Sequence, residues 1–154
     1  MERKYLTLND ISAYKIAFHL SNYVWDIVIK WDQFAKNTIG RQFVDAVDSI
    51  SANIAEGFGR YHKGSQKKIM YPTERTELLK HISVQWYNKK GESPKVKFYR
   101  YSFGSVKESF DWNEKSKVRN LLKPEEYDHI YQQLSLLPKE INGLIKLTNQ
   151  KLSI

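Results

Sequence analysis

The 154-residue chain contains no cysteine, which excludes disulfide bonds, thiolate metal sites and cysteine nucleophiles. Only four prolines and seven glycines are present, so long helices can form with few interruptions. No apolar run approaches the roughly 20 residues that span a bilayer, and residues 1–5 lead into no signal-peptide core. We therefore expect a protein that does not enter a membrane and that works in the reducing cytoplasm.

The positive charge of the chain is concentrated in one segment. The formal net charge is +8, from 25 Lys and Arg against 17 Asp and Glu. Residues 60–100 hold 11 of the basic residues and 3 of the acidic ones, so this segment accounts for the whole excess. A basic excess favours polyanionic partners because it attracts phosphates, and it carries no information about the fold.

Apolar residues recur at steps of three and four in the first part of the chain, which predicts two long helices. The first is expected over 10–33, with Asn9-Asp10 as its N-cap, and the second over 38–59. Lys36-Asn37-Thr38 is the expected connection, and it is short enough to indicate an antiparallel hairpin. A left-handed residue is expected to close the second helix at one of two glycines, Gly57 and Gly59.

The same periodicity returns in the second part of the chain and predicts two more helices, over 97–115 and 125–150. Lys123-Pro124-Glu125-Glu126 is typical of a helix start, because proline and acidic residues suit the first turn. Pro138 should kink or split the fourth helix, because it removes one hydrogen bond and crowds the carbonyl of Leu134. The chain, residues 1–154, is therefore expected to form one all-α domain.

Residues 61–95 interrupt this pattern and are interpreted as an insertion between the second and third helices. Thr73 to Tyr87 fits a short helix, whereas His81–Tyr87 also fits an alternating strand, and periodicity does not separate the two in so short a run.

Two blocks of sequence carry a family resemblance. Thr38-Ile39-Gly40-Arg41-Gln42-Phe43 is followed by Asp48-Ser49-Ile50-Ser51-Ala52-Asn53-Ile54-Ala55-Glu56-Gly57-Phe58-Gly59-Arg60, and Lys97-Phe98-Tyr99-Arg100-Tyr101-Ser102-Phe103-Gly104 opens the third helix. This pattern resembles the bacterial four-helix-bundle family that includes proteins encoded in intervening sequences of large-subunit ribosomal RNA genes. More distantly, it resembles the accessory proteins of diversity-generating retroelements. The resemblance extends over roughly residues 5–60 and 95–150.

The resemblance implies an up-and-down antiparallel four-helix bundle, here with about thirty residues inserted between helices 2 and 3. It also implies a ring-like pentamer and a role in binding nucleic acid or a nucleic-acid-handling partner. The chain departs from the family pattern at Val44-Asp45, where basic residues usually stand, and at the insertion, where the family usually has a short turn.

Polar residues of the family motif lie on one face of the second helix, because Ser49, Asn53 and Glu56 follow one another at steps of four and three. With Arg60 they form either a ligand or partner site, or a polar stripe that joins helices or subunits through hydrogen bonds. The second interpretation is favoured, and it makes the following residues structural members of the motif: Ser49, Asn53, Glu56, Gly57 and Gly59.

The sequence contains few of the motifs that are typical of catalytic, cofactor-binding or metal sites. Glu126-Tyr127-Asp128-His129 contains one E-x-x-H spacing, but di-metal bundles need a second such motif and two more carboxylates. No serine nucleophile elbow or phosphate-cradling glycine loop is present. We therefore expect a protein that is not an enzyme and that holds no metal or cofactor.

The basic segment is the strongest candidate site. Its cations are interleaved with Tyr61, Tyr71, Trp86, Tyr87 and Tyr99, and such aromatic rings can stack on unpaired bases while cations neutralise phosphates. We predict a sequence-tolerant nucleic-acid-binding oligomer, with RNA favoured by the resemblance. The alternative is a scaffold that docks a partner protein through exposed aromatic and charged residues. The predicted phosphate contacts are Arg60, Lys63, Lys67, Lys68, Lys89, Lys90, Lys95, Lys97 and Arg100.

Overall fold

A computed structural model describes residues 6–60 and 93–151 of the chain. Four long helices account for most of these residues, and no strand occurs among them: α1 (Ser12–Val28), α2 (Arg41–Gly59), α3 (Pro94–Val118) and α4 (Pro124–Lys151). The predicted all-α class and its four helices are confirmed. The predicted alternatives for Thr73 to Tyr87 lie outside the described residues.

The helices form an up-and-down bundle in which each one packs against its neighbours along the chain, and α4 returns to pack against α1. Consequently α1 and α3 occupy opposite corners. The apolar residues Ile130, Leu134, Leu137 and Ile141 of α4 are buried, and with the apolar rows of α1 and α2 they form one contiguous core. The largest wholly buried side chains include Leu20, Phe43, Ile50, Ile54, Ile130, Leu134, Leu137 and Ile141.

The connection between α1 and α2 differs from the prediction. α1 ends at Val28, and the Asp32 carboxylate accepts hydrogen bonds from the backbone N–H groups of Phe34 and Ala35 at 2.9 and 3.0 Å. This N-cap starts a helical turn at Gln33–Ala35, which continues through a π-helical turn at Lys36–Gly40 into α2. The prediction that Lys36-Asn37-Thr38 forms the connection was therefore wrong, because Asp32 begins the helix earlier.

The start of α1 also differs from the prediction. Asn9-Asp10 belongs to a separate 3-10 turn, Leu8–Asp10, in which the Asp10 carboxylate accepts a hydrogen bond from the Thr7 N–H at 2.8 Å. Asp10 therefore caps this turn, and α1 begins two residues later at Ser12.

α2 ends at Gly59 as predicted, but the left-handed residue expected to close it is not found. The residue that follows it, Arg60, has an extended backbone with φ −70°, and neither Gly57 nor Gly59 is left-handed. The left-handed residue among those described is Asn120 (φ 56°), which ends α3. The Leu121 N–H donates to the Ser116 carbonyl at 2.9 Å, as in a Schellman motif.

Pro138 lies inside α4, which continues unbroken to Lys151, so the helix is not split there. The start of α4 follows the prediction, because Pro124 is its first residue and the Glu126 carboxylate accepts a hydrogen bond from the Lys123 N–H at 2.9 Å. No helix of the described part of the chain is long and apolar enough to cross a membrane.

The interface between α2 and α3 depends on small residues. A Cβ atom on Gly57 would lie 2.6 Å from Cε1 of Tyr99 and 3.1 Å from the Lys95 carbonyl oxygen, which is closer than van der Waals contact permits. One turn away, the buried Ser102 hydroxyl donates a hydrogen bond to the Ile50 carbonyl oxygen at 3.0 Å. Gly57 is therefore required for close helix packing and not for a turn.

Gly57→Ala should lower the free energy of unfolding by about 1–2 kcal/mol. The added methyl group forces the Tyr99 ring to move, at a typical overpacking cost of 1–3 kcal/mol, and the better helix propensity of alanine offsets up to about 1 kcal/mol. Urea unfolding measures the difference. Gly59→Ala is the matched control, because a Cβ there meets nothing within 4 Å, and it should leave stability unchanged or slightly raised. Equal stability of the two variants would contradict the packing role of Gly57.

Candidate nucleic-acid interface

The predicted phosphate-contacting residues that the structure describes come together at one end of the bundle. Arg60 follows the last residue of α2, and Lys95, Lys97 and Arg100 lie in the first two turns of α3. The antiparallel packing of α2 and α3 brings these two helix ends side by side. The remaining predicted contacts lie outside the described residues: Lys63, Lys67, Lys68, Lys89 and Lys90.

The charges of α3 oppose the usual pattern at a helix start. Its first turn contains no acidic residue, and four cations but no acid occur between Pro94 and Lys107. A helix N-terminus carries a partial positive charge, so cations there destabilise the helix by a few tenths of a kcal/mol to about 1 kcal/mol each. Helix stability therefore does not explain this arrangement, although the same arrangement strongly attracts anions.

The four cations of this half-helix differ in exposure. Lys97, Arg100 and Lys107 are exposed, so their charged groups can reach a ligand in solvent. Lys95 is half-buried beside α2, and burial lowers the pKa of its ammonium group. Of the predicted α3 cations, Lys97 and Arg100 are therefore better placed than Lys95 to contact phosphates.

Two contacts hold the Arg60 side chain beside α3. Its Nε donates a hydrogen bond to the Glu56 carboxylate at 2.9 Å, one helical turn earlier. Its guanidinium carbon lies 4.8 Å from the centre of the Phe98 ring, within the range of a cation–π contact. The guanidinium group is thereby kept at the α2–α3 junction while half of the side chain stays exposed.

Aromatic rings continue this surface along α3. The Phe98 and Tyr101 rings meet edge to face with centroids 5.8 Å apart, and the Lys97 ammonium lies 5.7 Å from the Tyr101 centroid. Tyr101 is 49 % exposed, so its ring can accept a stacked base. Tyr99, by contrast, is only 2 % exposed and belongs to the core, so its prediction as a stacking residue was wrong.

Sequence reasoning missed three residues of this surface: Phe98, Tyr101 and Lys107. All three lie beside the predicted apolar row of α3, and helical periodicity alone would have placed Tyr101 and Lys107 on its outer face. The contact between Phe98 and Arg60 has no such signal, because it joins two helices separated by more than thirty residues.

The side of α3 that faces α4 forms a shallow open groove. Arg100, Phe103, Gly104 and Lys107 line it from α3, and Asn142 and Ile145 line it from α4. The Lys107 ammonium lies 5.6 Å from the centre of the Phe103 ring. Cations therefore border both flanks of the first half of α3, with Arg60 at the junction with α2 and with Arg100 and Lys107 towards α4.

The polar stripe of α2 makes its hydrogen bonds along its own helix. The Asn53 amide donates to the Ser49 carbonyl oxygen at 2.7 Å, and Arg60 pairs with Glu56. One contact of this stripe with another helix is the Arg60–Phe98 cation–π pair. The stripe thus positions Arg60, and its predicted role between subunits stays a prediction.

His129, the histidine of the E-x-x-H spacing, has an aromatic neighbour. Its ring centroid lies 4.4 Å from that of Tyr23 on α1, and the rings are tilted by 53°. Within residues 6–60 and 93–151, no group of three or more histidine or acidic side chains is arranged to hold a metal ion.

Comparison with known proteins finds a family match in the first half of the chain. Residues 9–77 match the family model described as 23S rRNA-intervening sequence protein. The match contains the Ser49–Arg60 block and confirms the family that this block predicted, whereas the predicted resemblance of residues 95–150 lies beyond it. No curated protein matches the chain. The more distant resemblance to retroelement accessory proteins stays a prediction.

Arg60→Gln should lower the free energy of unfolding by about 1 kcal/mol or less. The Glu56–Arg60 pair is half exposed, and such i,i+4 pairs contribute about 0.3–0.5 kcal/mol, with a similar amount from an exposed cation–π contact. Urea unfolding followed by circular dichroism tests this. A loss well above this amount would mean that Arg60 is needed for the fold, in which case its variants could not report on binding.

Proposed function

Because residues 9–77 match the family model described as 23S rRNA-intervening sequence protein, we propose that this chain is a non-enzymatic nucleic-acid-binding module. Its binding surface is the first half of α3 together with Arg60. RNA is the favoured ligand because of the family description. We propose that the protein acts in the cytoplasm.

The observation that carries this proposal is the row of cations at the start of α3. Lys95 and Lys97 lie in the first turn, where cations oppose the helix dipole, and the sequence from Pro94 to Lys107 contains no acidic residue. Positions where a sequence violates a local stability rule are often functional positions. Here the violated rule is the preference for acidic residues in the first turn of a helix. The resulting positive electrostatic field favours a polyanion.

Binding would combine two interactions. Lys97, Arg100 and Arg60 would neutralise phosphates and release condensed counterions, which makes affinity depend on salt and not on base sequence. The exposed Tyr101 ring would stack on an unpaired base, which adds affinity for single-stranded or looped regions. Lys63, Lys67, Lys68, Lys89 and Lys90 belong to the same proposal on the strength of the sequence.

Replacing Arg60, Lys97 and Arg100 together by Gln should weaken RNA binding and flatten its salt dependence. If the unmodified protein contacts three or four phosphates, its log–log salt slope is about −2 to −4, and the triple variant should lose about 2 to 3 of that slope. Fluorescence anisotropy with a short labelled RNA at several salt concentrations measures both effects.

The matched control replaces Lys15, Lys30 and Arg41 by Gln. These cations are equally exposed but lie on α1, on the loop that follows α1 and at the start of α2. The control removes the same net charge from surfaces outside the proposed site. Its affinity for RNA should therefore change far less than that of the α3 variant. If the two triple variants bind alike, the α3 surface is not the binding site.

Self-association is a second part of the proposal, and the outer face of α1 supports it. Phe18, Trp25 and Ile29 are 47 %, 54 % and 46 % exposed, and they follow one another at helical spacing. Tyr14 stacks on Phe18 with ring centroids 5.8 Å apart and extends the row. We propose that copies of the chain cover this row in a homo-oligomer, and the family resemblance favours a pentamer.

The same exposed row supports an alternative function as a protein-interaction scaffold. A partner protein, which could itself handle nucleic acid, would then cover the aromatic residues of α1, and the α3 cations would contact acidic side chains. Bare RNA separates the two functions, because a scaffold would bind it weakly and the α3 variants would leave that binding unchanged.

Phe18→Lys combined with Trp25→Lys should convert the oligomer to monomers, because two charges would be buried at the interface. Multi-angle light scattering should give a mass near five times 18.2 kDa for the unmodified chain and near 18.2 kDa for the variant. Leu136→Lys with Leu147→Lys, which alters equally exposed residues of α4, should leave the oligomer intact. A monomeric mass for the unmodified chain at micromolar concentration would refute self-association.

A further inference from the structure

Gly104 lies in the middle of α3, where its presence has no packing reason among the described residues. Glycine is, after proline, the least favourable residue in a helix interior. At Gly57 a close contact with Tyr99 explains the glycine, but a Cβ atom on Gly104 would meet nothing within 4 Å. A Cβ atom at residue 104 therefore has room, and the glycine leaves an exposed stretch of bare helix backbone on this face of α3.

The residues around Gly104 favour an anionic ligand at this stretch of bare helix. Gly104 forms part of the groove between α3 and α4, an open space of about 360 Å³. Arg100 precedes Gly104 by one helical turn and Lys107 follows it by almost one, so their two cations flank a stretch of bare helix. The other described residues that line the groove are Phe103, Ile145 and Asn142, and none of the described lining residues is acidic.

We propose that this groove takes the sugar–phosphate backbone of the bound nucleic acid, with Gly104 as the point of closest approach. Arginine and lysine are the side chains that best recognise phosphate, and a glycine lets a ligand backbone approach a helix closely. A side chain at residue 104 would stand between the two cations and hold the strand away from both. This inference rests on the nucleic-acid-binding function proposed above and assigns the strand a path across α3.

Gly104→Gln tests the path without removing a charge. Glutamine has a better helix propensity than glycine and meets no neighbour, so the urea midpoint should be unchanged or raised. Binding of a short labelled RNA should nevertheless weaken about tenfold, and the salt slope should flatten by about 1 to 2, because the contacts of Arg100 and Lys107 are lost.

Gly143→Gln is the matched control. Gly143 is the other exposed glycine in the interior of a described helix, a Cβ there also meets nothing within 4 Å, and it does not line the groove. It should gain the same helix propensity and bind RNA like the unmodified protein. Weaker binding by a variant that is at least as stable is an outcome that loss of folding cannot produce.

The outcomes separate this inference from the function on which it rests. If Gly104→Gln binds RNA as Gly143→Gln does, while the Arg60, Lys97 and Arg100 triple variant binds weakly, the groove is refuted and the nucleic-acid-binding function stands. If the unmodified protein binds no RNA, the proposed function fails and the inference fails with it. If poly-glutamate binds more tightly than RNA and Gly104→Gln abolishes that binding, the ligand of the groove is an acidic protein.

Discussion

The close contact between α2 and α3 at Gly57 is the constraint on which the proposed binding surface depends. Without a Cβ at this position, the Tyr99 ring can pack directly against α2, and the Lys95 carbonyl oxygen also comes close. The hydrogen bond from Ser102 to the Ile50 carbonyl then fixes the two helices one turn further along. Because this contact sits in the last turns of α2 and the first turns of α3, it determines where Arg60 stands relative to Phe98 and the α3 cations.

This packing also explains how one helix serves two purposes. The inner face of α3 carries small polar residues, Ser102, Ser109, Asn113 and Ser116, all wholly buried, which allow close approach to its neighbours. The outer face can then carry cations at its N-terminal half without loss of the fold, because the core and not the helix dipole supplies most of its stability. The Asn113 amide donates a hydrogen bond to the Tyr127 carbonyl oxygen at 3.3 Å and so links α3 to α4.

The sequence predicted the helices and their buried faces far better than their ends and their contacts. The apolar row of α4 is buried from Tyr127 to Ile141, as its helical periodicity predicts, because a three–four repeat of apolar residues is a local signal of burial. The start of the helix at Gln33 was missed although Asp32 is a common N-cap residue, because the long apolar row of α1 was taken to run past it. Gly57 was assigned to a turn, because sequence alone does not distinguish a glycine that ends a helix from one that permits close packing.

Part of the candidate site was also predictable, because some of its features are local properties of the sequence. Charge density is a property of the sequence, so Arg60, Lys97 and Arg100 were found from composition alone. Which aromatic residue is exposed depends on the helical phase, and two residues along α3 separate the buried Tyr99 from the exposed Tyr101. The placement of Arg60 over Phe98 depends on the packing of two helices, and no local pattern encodes it.

The two proposed surfaces lie on opposite corners of the bundle, and this arrangement lets them act together. α1 and α3 each pack against α2 and α4, so the exposed row of Phe18, Trp25 and Ile29 points away from the α3 cations. Copies that associate through α1 would therefore leave every α3 surface accessible. A strand bound by one copy would then meet the α3 surface of another at high effective concentration, provided that it is long enough to span both. Modest phosphate contacts in each copy could in this way give strong binding to a long or structured RNA and weak binding to a short one.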